Sequence, residues 1–132
     1  MLQISKTASD LNVPENLVKV MLKIDKKLNA FKVPHAIIGG IAVGGYSKPR
    51  TTKDIDFLIS TKDIDKIKNI FPQNSPLLME DRVGITTIVD GIDVDFICHE
   101  PEEIFLLEGM TEYHGVNIPG KTKLLYLKLT SE

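Results

Sequence analysis

Alternation of acidic and apolar residues in two separate segments constrains the fold of this 132-residue chain more than any other feature. In residues 54–57, Asp54 and Asp56 alternate with isoleucine and phenylalanine, and residues 92–96 repeat the pattern around Asp93 and Asp95. Because successive side chains of a β-strand point to opposite faces, each segment predicts a strand with one apolar face and one acidic face. The apolar faces must be buried, so the chain needs a second layer over its sheet.

Helical and strand patterns alternate along the rest of the chain. Residues 85–97 predict a hairpin, because Asp90-Gly91 suits a two-residue turn. The predicted elements are a helix from Pro14 to before Pro34, strand 35–38, a short helix 41–46, strand 54–60, a helix 61–71 capped by Thr61, a short strand 77–80, strands 85–89 and 92–97, helix 101–107, strand 112–118 and helix 121–129.

This element order predicts an α/β (α+β) fold, with a mixed β-sheet flanked by helices. The length favours a single domain over residues 1–132, in which residues 1–31 form an N-terminal helical segment and residues 34–132 form the core. The sequence shows no internal repeat and no serine- or glycine-rich linker.

Composition narrows the class of protein. The formal net charge is −2, so nucleic acid remains open as a partner but is not indicated by charge. A single cysteine, Cys98, excludes an intrachain disulfide framework and suits a reducing compartment. The longest charge-free stretch, residues 33–47, falls short of the roughly 20 residues that a spanning helix needs. We therefore expect a cytoplasmic protein without a membrane association.

The Gly39-Gly40 pair follows a short apolar strand and precedes a short helix. Glycine lets the backbone approach a ligand closely, and backbone N–H groups at a helix start favour an anion. Phosphate is the anion that we would expect such a turn to bind. A plain structural turn is the simpler explanation, and the pair alone does not separate the two.

The acidic residues point to a cation. On one strand, Asp54 and Asp56 share a face, where their like charges repel unless a cation lies between them. Carboxylate oxygens suit magnesium or manganese. If the second acidic strand is a neighbour, about 4.8 Å away, it adds a third carboxylate. Three carboxylates can hold two divalent ions about 3.5–4 Å apart, as in phosphoryl displacement. A solvated edge strand with alternating acids is the alternative.

These motifs together resemble a known family. The Gly-Gly turn in residues 39–46, the Arg-x-Thr-x-Asp-x-Asp pattern in residues 50–57 and the later acidic strand in residues 91–96 are similar to the minimal nucleotidyltransferase domain of the DNA polymerase beta superfamily. The form is that of small prokaryotic members of the abortive-infection and toxin–antitoxin types. The Leu/Lys-rich residues 123–129 resemble the helix that closes many such domains.

The resemblance implies a metal-dependent nucleotidyltransferase that moves a nucleoside monophosphate from an NTP to a hydroxyl, using two Mg²⁺ or Mn²⁺ ions. It assigns the catalytic and metal-binding roles to Asp54, Asp56 and Asp95, and Asp95 matches the third acid better than Asp93. The implied nucleotide-binding residues are Gly39, Gly40, Arg50, Thr52 and Lys128. Many members carry serine where this chain has Gly40, so only backbone donors remain at that position.

Several alternatives remain open at the level of sequence. The chain could instead be a non-catalytic or weakly active nucleotide-binding module of a toxin–antitoxin-type pair, or a structural domain without a ligand. The acceptor, which could be a protein, an RNA or a small molecule, is not specified. Neither is the base of the NTP, nor whether a protein partner or a second subunit of a homo-oligomer holds the acceptor.

Overall fold

The computed structural model describes residues 13–46 and 52–130. Two 3₁₀ helices, Thr61–Asp63 and Pro101–Leu107, accompany the regular elements. Those elements, in chain order, are α1 (Glu15–Ala30), β1 (His35–Ile38), α2 (Gly39–Gly44), β2 (Ile55–Ser60), α3 (Ile64–Ile70), β3 (Asn74–Pro76), β4 (Gly84–Val89), β5 (Ile92–His99), β6 (Thr111–Tyr113), β7 (Val116–Ile118) and α4 (Lys121–Thr130).

Five strands form a mixed sheet in the order β1-β2-β5-β4-β3, and β6 and β7 form a separate two-stranded sheet. The central pair β2–β5 is parallel, and the other pairs of the large sheet are antiparallel. Helices flank this sheet, so the predicted α+β architecture is confirmed. None of the helices in the described ranges is both long and apolar enough to cross a membrane.

In the part of the chain that the structure describes, one face of the sheet is covered and the other is covered in part. On the first, α1 packs its buried residues against a core in which Phe57 stacks on Phe96, with ring centroids 5.5 Å apart. The helical spacing of the apolar residues in α1 explains this contact. On the second face, Leu58 packs with Leu106 of the Pro101–Leu107 helix and Leu127 of α4. The second face carries the acidic residues.

The hairpin at Asp90-Gly91 is confirmed. Both residues have positive φ, 52° and 80°, as a two-residue hairpin turn requires. The prediction of one strand over residues 112–118 is wrong, because His114 and Gly115 form a second turn of the same kind, with φ values of 54° and 85°. Histidine is among the residues that tolerate positive φ, but this use is not apparent from its sequence neighbours.

Three further differences are local. Residues 77–80 do not form the predicted strand, and the edge strand β3 instead uses residues 74–76, for which no element was predicted. The predicted helix at residues 101–107 is a 3₁₀ helix. At the start of the 3₁₀ helix Thr61–Asp63, which leads into α3, Ser60 rather than Thr61 provides the cap. The Ser60 hydroxyl accepts a hydrogen bond from the Lys62 backbone N–H.

Candidate functional site

Two carboxylates meet on neighbouring parallel strands. In the β2–β5 register, Asp56 lies directly opposite Asp95. Residues opposite one another on adjacent strands present their side chains on the same face, so these two acids lie side by side. Asp93 lies one pleat away, opposite Ile88 of β4, and is exposed. The register therefore brings Asp95, and not Asp93, beside Asp56.

Asp54 lies just outside the strand. We predicted that β2 starts at residue 54, but the strand begins at Ile55 and Asp54 forms an exposed bend before it. Its negative charge still acts on Asp56. The site thus consists of a close pair of acids, Asp56 and Asp95, with a third acid nearby on a flanking bend.

Gly39 lies against the Asp56 carboxylate. Its φ is +72°, a region that favours glycine, and a Cβ at this position would lie 2.0 Å from Asp56 Oδ2. The antiparallel pairing of β1 with β2 produces this contact, because it places Ile38, the residue before Gly39, opposite Asp56. Any other residue at position 39 would displace the acid. The glycine bend and the acidic pair therefore belong to one site.

The electrostatics of the acidic pair are unfavourable without a counter-charge. The pKa of Asp56 is raised to about 7, chiefly by burial and then by the negative charges of Asp54 and Asp95. The protonated Asp56 carboxyl donates a hydrogen bond to Asp95, which further favours its neutral form. Within residues 13–46 and 52–130, no lysine, arginine or histidine forms an ion pair with these three acids. A cation would relieve this repulsion.

The donor set fits a hard divalent cation, although it is not fully assembled. Carboxylate oxygens are the ligands that magnesium and manganese prefer. The described part of the chain contains no group of three His, Cys, Asp or Glu side chains already arranged to hold a metal ion. Asp56 and Asp95 supply two converging carboxylates, and the exposed Asp54 side chain must turn towards them to complete a set of three.

Among the described residues, a groove lies over β3, β4 and part of β5. Thr86 of β4 lies opposite Asp95, and Ser75 of β3 lies opposite Thr86, so the row Asp56, Asp95, Thr86, Ser75 crosses four strands on one face. The groove has a volume of about 380 Å³. It is lined by Gln73, Ser75, Thr86, Thr87, Ile88 and Asp93. The groove is next to the acidic pair in the sheet, because Thr86, which lines it, lies opposite Asp95.

The remaining predicted nucleotide ligands are less closely gathered. Gly40 is half-buried in α2, directly after Gly39. The Thr52 hydroxyl donates a 3.4 Å hydrogen bond to the Asp54 carbonyl, so it supports the bend that carries Asp54. Lys128 lies on the exposed side of α4. Arg50 falls outside the described residues. The nucleotide-binding roles of all four remain predictions.

Sequence analysis missed Thr86 and Ser75. Thr86 could have been found by counting outward from the Asp90-Gly91 turn, because a two-residue hairpin fixes the pairing of Thr86 with Asp95. No comparable signal exists for Ser75, since β3 lies in a Pro-rich segment that does not read as a strand.

A second polar cluster, which we call the arginine hub, consists of Arg82, Glu103 and Tyr126. Arg82 donates two hydrogen bonds to Glu103, at 2.8 and 2.9 Å, and a third to the Cys98 carbonyl. The Tyr126 hydroxyl donates to Glu103 Oε2 at 2.6 Å. These bonds, led by those from Arg82, lower the pKa of Glu103 to about 2. The hub ties the loop after β3, the Pro101–Leu107 helix and α4 together.

No protein-family model and no curated protein matches the sequence of this chain. Solved structures do match its fold. The crystal structure of TM1012 from Thermotoga maritima, a predicted nucleotidyltransferase, superposes with a TM-score of 0.67 at 20% identity, covering 86% of this chain and 84% of the other. ANT(2″)-Ia in complex with adenylyl-2″-tobramycin gives 0.62 at 13% identity, covering 86% and 78%.

The solution structure of ANT(2″)-Ia, described as an antibiotic-resistance factor, gives a TM-score of 0.60 at 14% identity and covers 86% of this chain and 73% of the other. The similarity extends over most of each chain. The protein therefore has a nucleotidyltransferase-like fold.

Proposed function

We propose that this protein is a metal-dependent nucleotidyltransferase, which transfers a nucleoside monophosphate from an NTP to a hydroxyl and releases pyrophosphate. The observation that carries the proposal is the pairing of Asp56 with Asp95 beside the Gly39 bend, in a nucleotidyltransferase-like fold. A half-buried acidic pair that no cation within residues 13–46 and 52–130 neutralises is costly to maintain for structure alone. Its cost is understandable if the pair binds a cation and a phosphate.

In this proposal, Asp54, Asp56 and Asp95 hold two Mg²⁺ or Mn²⁺ ions. When bound, these ions would neutralise the triphosphate and make the attacking hydroxyl more acidic. Gly39 and Gly40 leave room for the phosphates to approach the backbone beside Asp56. Arg50, Thr52 and Lys128 are proposed to contact the nucleotide, as the family resemblance implies.

The proposed reaction is a single displacement at the α-phosphorus. The acceptor oxygen bonds to this phosphorus while the bond between the phosphorus and the oxygen bridging to the β-phosphate breaks, and pyrophosphate leaves. Asp95 orients the acceptor hydroxyl and receives its proton. Asp95 suits this role better than Asp56 because it lies opposite Thr86, which lines the groove that would hold the acceptor.

The groove over β3 and β4 is the proposed acceptor site. Thr86 and Ser75 would provide hydroxyls that can donate to or accept from a polar acceptor. Protein, RNA and small-molecule acceptors all remain candidates. The similar structure of ANT(2″)-Ia contains an adenylylated small molecule, tobramycin, which makes small hydroxylated compounds the first class to test. Such a reaction would take place in the cytoplasm, where NTPs and Mg²⁺ are available.

The test is incubation with each α-labelled NTP and Mg²⁺ or Mn²⁺, with and without cell lysate or a library of small hydroxylated compounds. The proposal expects release of pyrophosphate and transfer of label to one acceptor class by the wild type and by Asp65→Asn, a control acid that is exposed on α3. It expects neither from Asp95→Asn. Turnover that survives Asp95→Asn unchanged would overturn the assignment.

A non-catalytic nucleotide-binding module, such as one component of a toxin–antitoxin-type pair, is the second candidate. Two observations favour it: the three acids are not assembled in advance, and Gly40 offers no hydroxyl to the phosphates. Mg²⁺-dependent NTP binding without turnover, together with a protein partner that co-purifies, would support this candidate over the enzyme.

A further inference from the structure

Among the described residues that line the groove over β3 and β4, only Asp93 is charged. The others are a glutamine, a serine, two threonines and an isoleucine. Asp93 is exposed, and no lysine, arginine or histidine within residues 13–46 and 52–130 forms an ion pair with it. The groove therefore presents one unpaired negative charge to a molecule that enters it.

Asp93 lies at a defined distance from the acidic pair. It is two residues from Asp95 on β5, and its partner Ile88 is likewise two residues from Thr86, the partner of Asp95. Both acids therefore lie on one face of the sheet, about 7 Å apart along the strand. A molecule whose reacting hydroxyl lies at Asp95 can place a second group against Asp93 if the two groups are separated by about 7 Å.

The neutral groups of the groove offer no positive charge to an anion. The Thr87 hydroxyl is already engaged, since it donates a 2.6 Å hydrogen bond to the Gln73 carbonyl. The Thr86 hydroxyl lies 3.5 Å from the Val94 carbonyl, which is long for a hydrogen bond. Ile88 is 67% exposed and forms an apolar wall. These groups suit the hydroxyls and carbon skeleton of a small polar molecule.

We propose that the acceptor is a small hydroxylated compound with a protonated amine about 7 Å from its reacting hydroxyl, and that Asp93 selects it. This inference rests on the proposed nucleotidyl transfer at the same site. An anionic acceptor, such as an RNA or a sugar phosphate, would be repelled by Asp93 and by the triphosphate of the NTP. A cationic acceptor would be attracted by both.

The charge on the amine also determines which atom reacts. A nearby carboxylate such as Asp93 favours the protonated form of an amine. An ammonium nitrogen has no free electron pair, so the hydroxyl oxygen forms the new bond to the α-phosphorus. The bond from this phosphorus to the oxygen of the leaving pyrophosphate breaks, and the hydroxyl proton passes to Asp95. The product should therefore be a phosphodiester and not a phosphoramidate.

A series of ω-amino alcohols, from 2-aminoethanol to 8-amino-1-octanol, tests this proposal by release of pyrophosphate from Mg²⁺–NTP. Each compound is compared with its N-acetyl derivative, which keeps the hydroxyl but carries no charge. For the best amino alcohol, kcat/KM should be about fivefold higher than for its acetylated form, as expected for one exposed ion pair. The optimum should fall at about five carbons, where an extended chain separates the two groups by about 7 Å. Equal kcat/KM for both forms at every length would overturn the proposal.

Substitution of Asp93 tests whether this residue is the source of the preference. Asp93→Asn should lower kcat/KM for the amino alcohol to that of the acetylated form and leave the latter unchanged. The control Asp65→Asn, in an exposed acid on α3 outside the groove, should keep the wild-type preference. A preference that survives Asp93→Asn, or a wild type that favours ω-hydroxy acids or RNA oligonucleotides, would contradict the assignment.

Binding without turnover distinguishes this inference from the proposed function. In an NMR titration with 5-amino-1-pentanol, the backbone amides of β4 and β5 should shift, and Asp93→Asn should raise the Kd about fivefold. If this binding is seen but no acceptor releases pyrophosphate, the proposed enzyme activity fails and the amine-binding role of Asp93 stands. If pyrophosphate is released but the amine and acetylated forms bind and react equally, the activity stands and the role of Asp93 fails.

Discussion

The acidic site and the arginine hub are both built from buried or half-buried carboxylates, but they treat charge in opposite ways. At the hub, Glu103 receives hydrogen bonds from Arg82, Tyr126 and the Glu100 backbone. At the acidic site, Asp56 faces Asp95 and no cation in the described residues pairs with it. The pKa of Glu103 falls to about 2, whereas that of Asp56 rises to about 7.

This difference in pKa distinguishes a carboxylate that stabilises the fold from one that is available to bind a ligand. A carboxylate whose hydrogen bonds are all provided by the chain stabilises the fold and has little capacity left for a ligand. A carboxylate that lacks its counter-charge makes the empty protein less stable and can recover that loss when a cation binds. Mutations in the two clusters should therefore affect different measurements.

The largest expected effect is on catalysis. Asp95→Asn should lower kcat/KM for nucleotidyl transfer at least about a thousandfold, or ~4 kcal/mol, because it removes a charged metal ligand and the proposed proton acceptor. Asp65→Asn is the control, since Asp65 is an exposed acid on α3 that does not line the groove. Its kcat/KM should stay within a few-fold of the wild type. Equal losses in both variants would mean that Asp95 has no special role.

The next effect is on stability. Arg82→Ala should lower the free energy of unfolding by about 3 kcal/mol, because it leaves the buried Glu103 carboxylate without its partner. Urea denaturation with and without Mg²⁺ measures it, and the loss should be the same in both conditions. A loss of unfolding free energy that appears only with Mg²⁺ would show that the hub affects the metal site, and the two clusters would then not be independent.

The hub also predicts behaviour in acid. Because the folded pKa of Glu103 lies below its unfolded value, this group stabilises the fold above about pH 4.5, and the contribution is lost as the pH falls towards about 2. Glu103→Gln should lack this part of the acid dependence. A Glu103→Gln variant with the full wild-type acid dependence would contradict the assignment.

The acidic site predicts a pH dependence of stability that is opposite in sign to that of the hub. Since the folded pKa of Asp56 is raised from 3.8 to about 7, the metal-free fold loses stability as the pH rises through this window. Asp56→Asn should therefore stabilise the protein in EDTA by about 2 kcal/mol near pH 8, and by much less near pH 4. Urea denaturation at both pH values measures this. A destabilised variant at the higher pH would show that Asp56 is a structural residue.

The smallest expected effect concerns the glycine bend. Gly40→Ser should lower the Kd for Mg²⁺–NTP by a few-fold, since one added hydroxyl donor contributes about 1 kcal/mol. Gly39→Ser should weaken binding instead, because its side chain would collide with the Asp56 carboxylate and its φ is +72°. Calorimetry with a slowly hydrolysed NTP analogue compares the two. Identical effects would show that Gly39 has no special contact with the acids.

Patterns of local origin could be read from the sequence. The periodicity of α1, the Asp90-Gly91 turn and the strand alternation around Asp95 each depend on neighbours in the chain, and each is confirmed. The mixed sheet followed from the order of these elements. The proximity of Asp56 and Asp95 required an assumption about strand order that only the tertiary structure resolves.

The features that sequence analysis missed depend on distant contacts. The hub joins Arg82, Glu103 and Tyr126 across more than 40 residues of chain, and no local pattern marks any of them as partners. The edge strand β3 includes Pro76, which a strand tolerates only at an edge or bulge. The turn at His114 uses a residue that tolerates positive φ, but the neighbouring sequence does not mark it as a turn.

The measurement that tests the acidic site most directly is calorimetric titration of Mn²⁺ into the metal-free protein near neutral pH, with the wild type compared with Asp56→Asn and Asp93→Asn. If the acidic pair exists to bind a cation, the wild type and Asp93→Asn should bind Mn²⁺ with similar affinity. Asp56→Asn should bind Mn²⁺ with a Kd at least about tenfold higher. Binding that is absent from the wild type, or unchanged in Asp56→Asn, would contradict the proposed metal site.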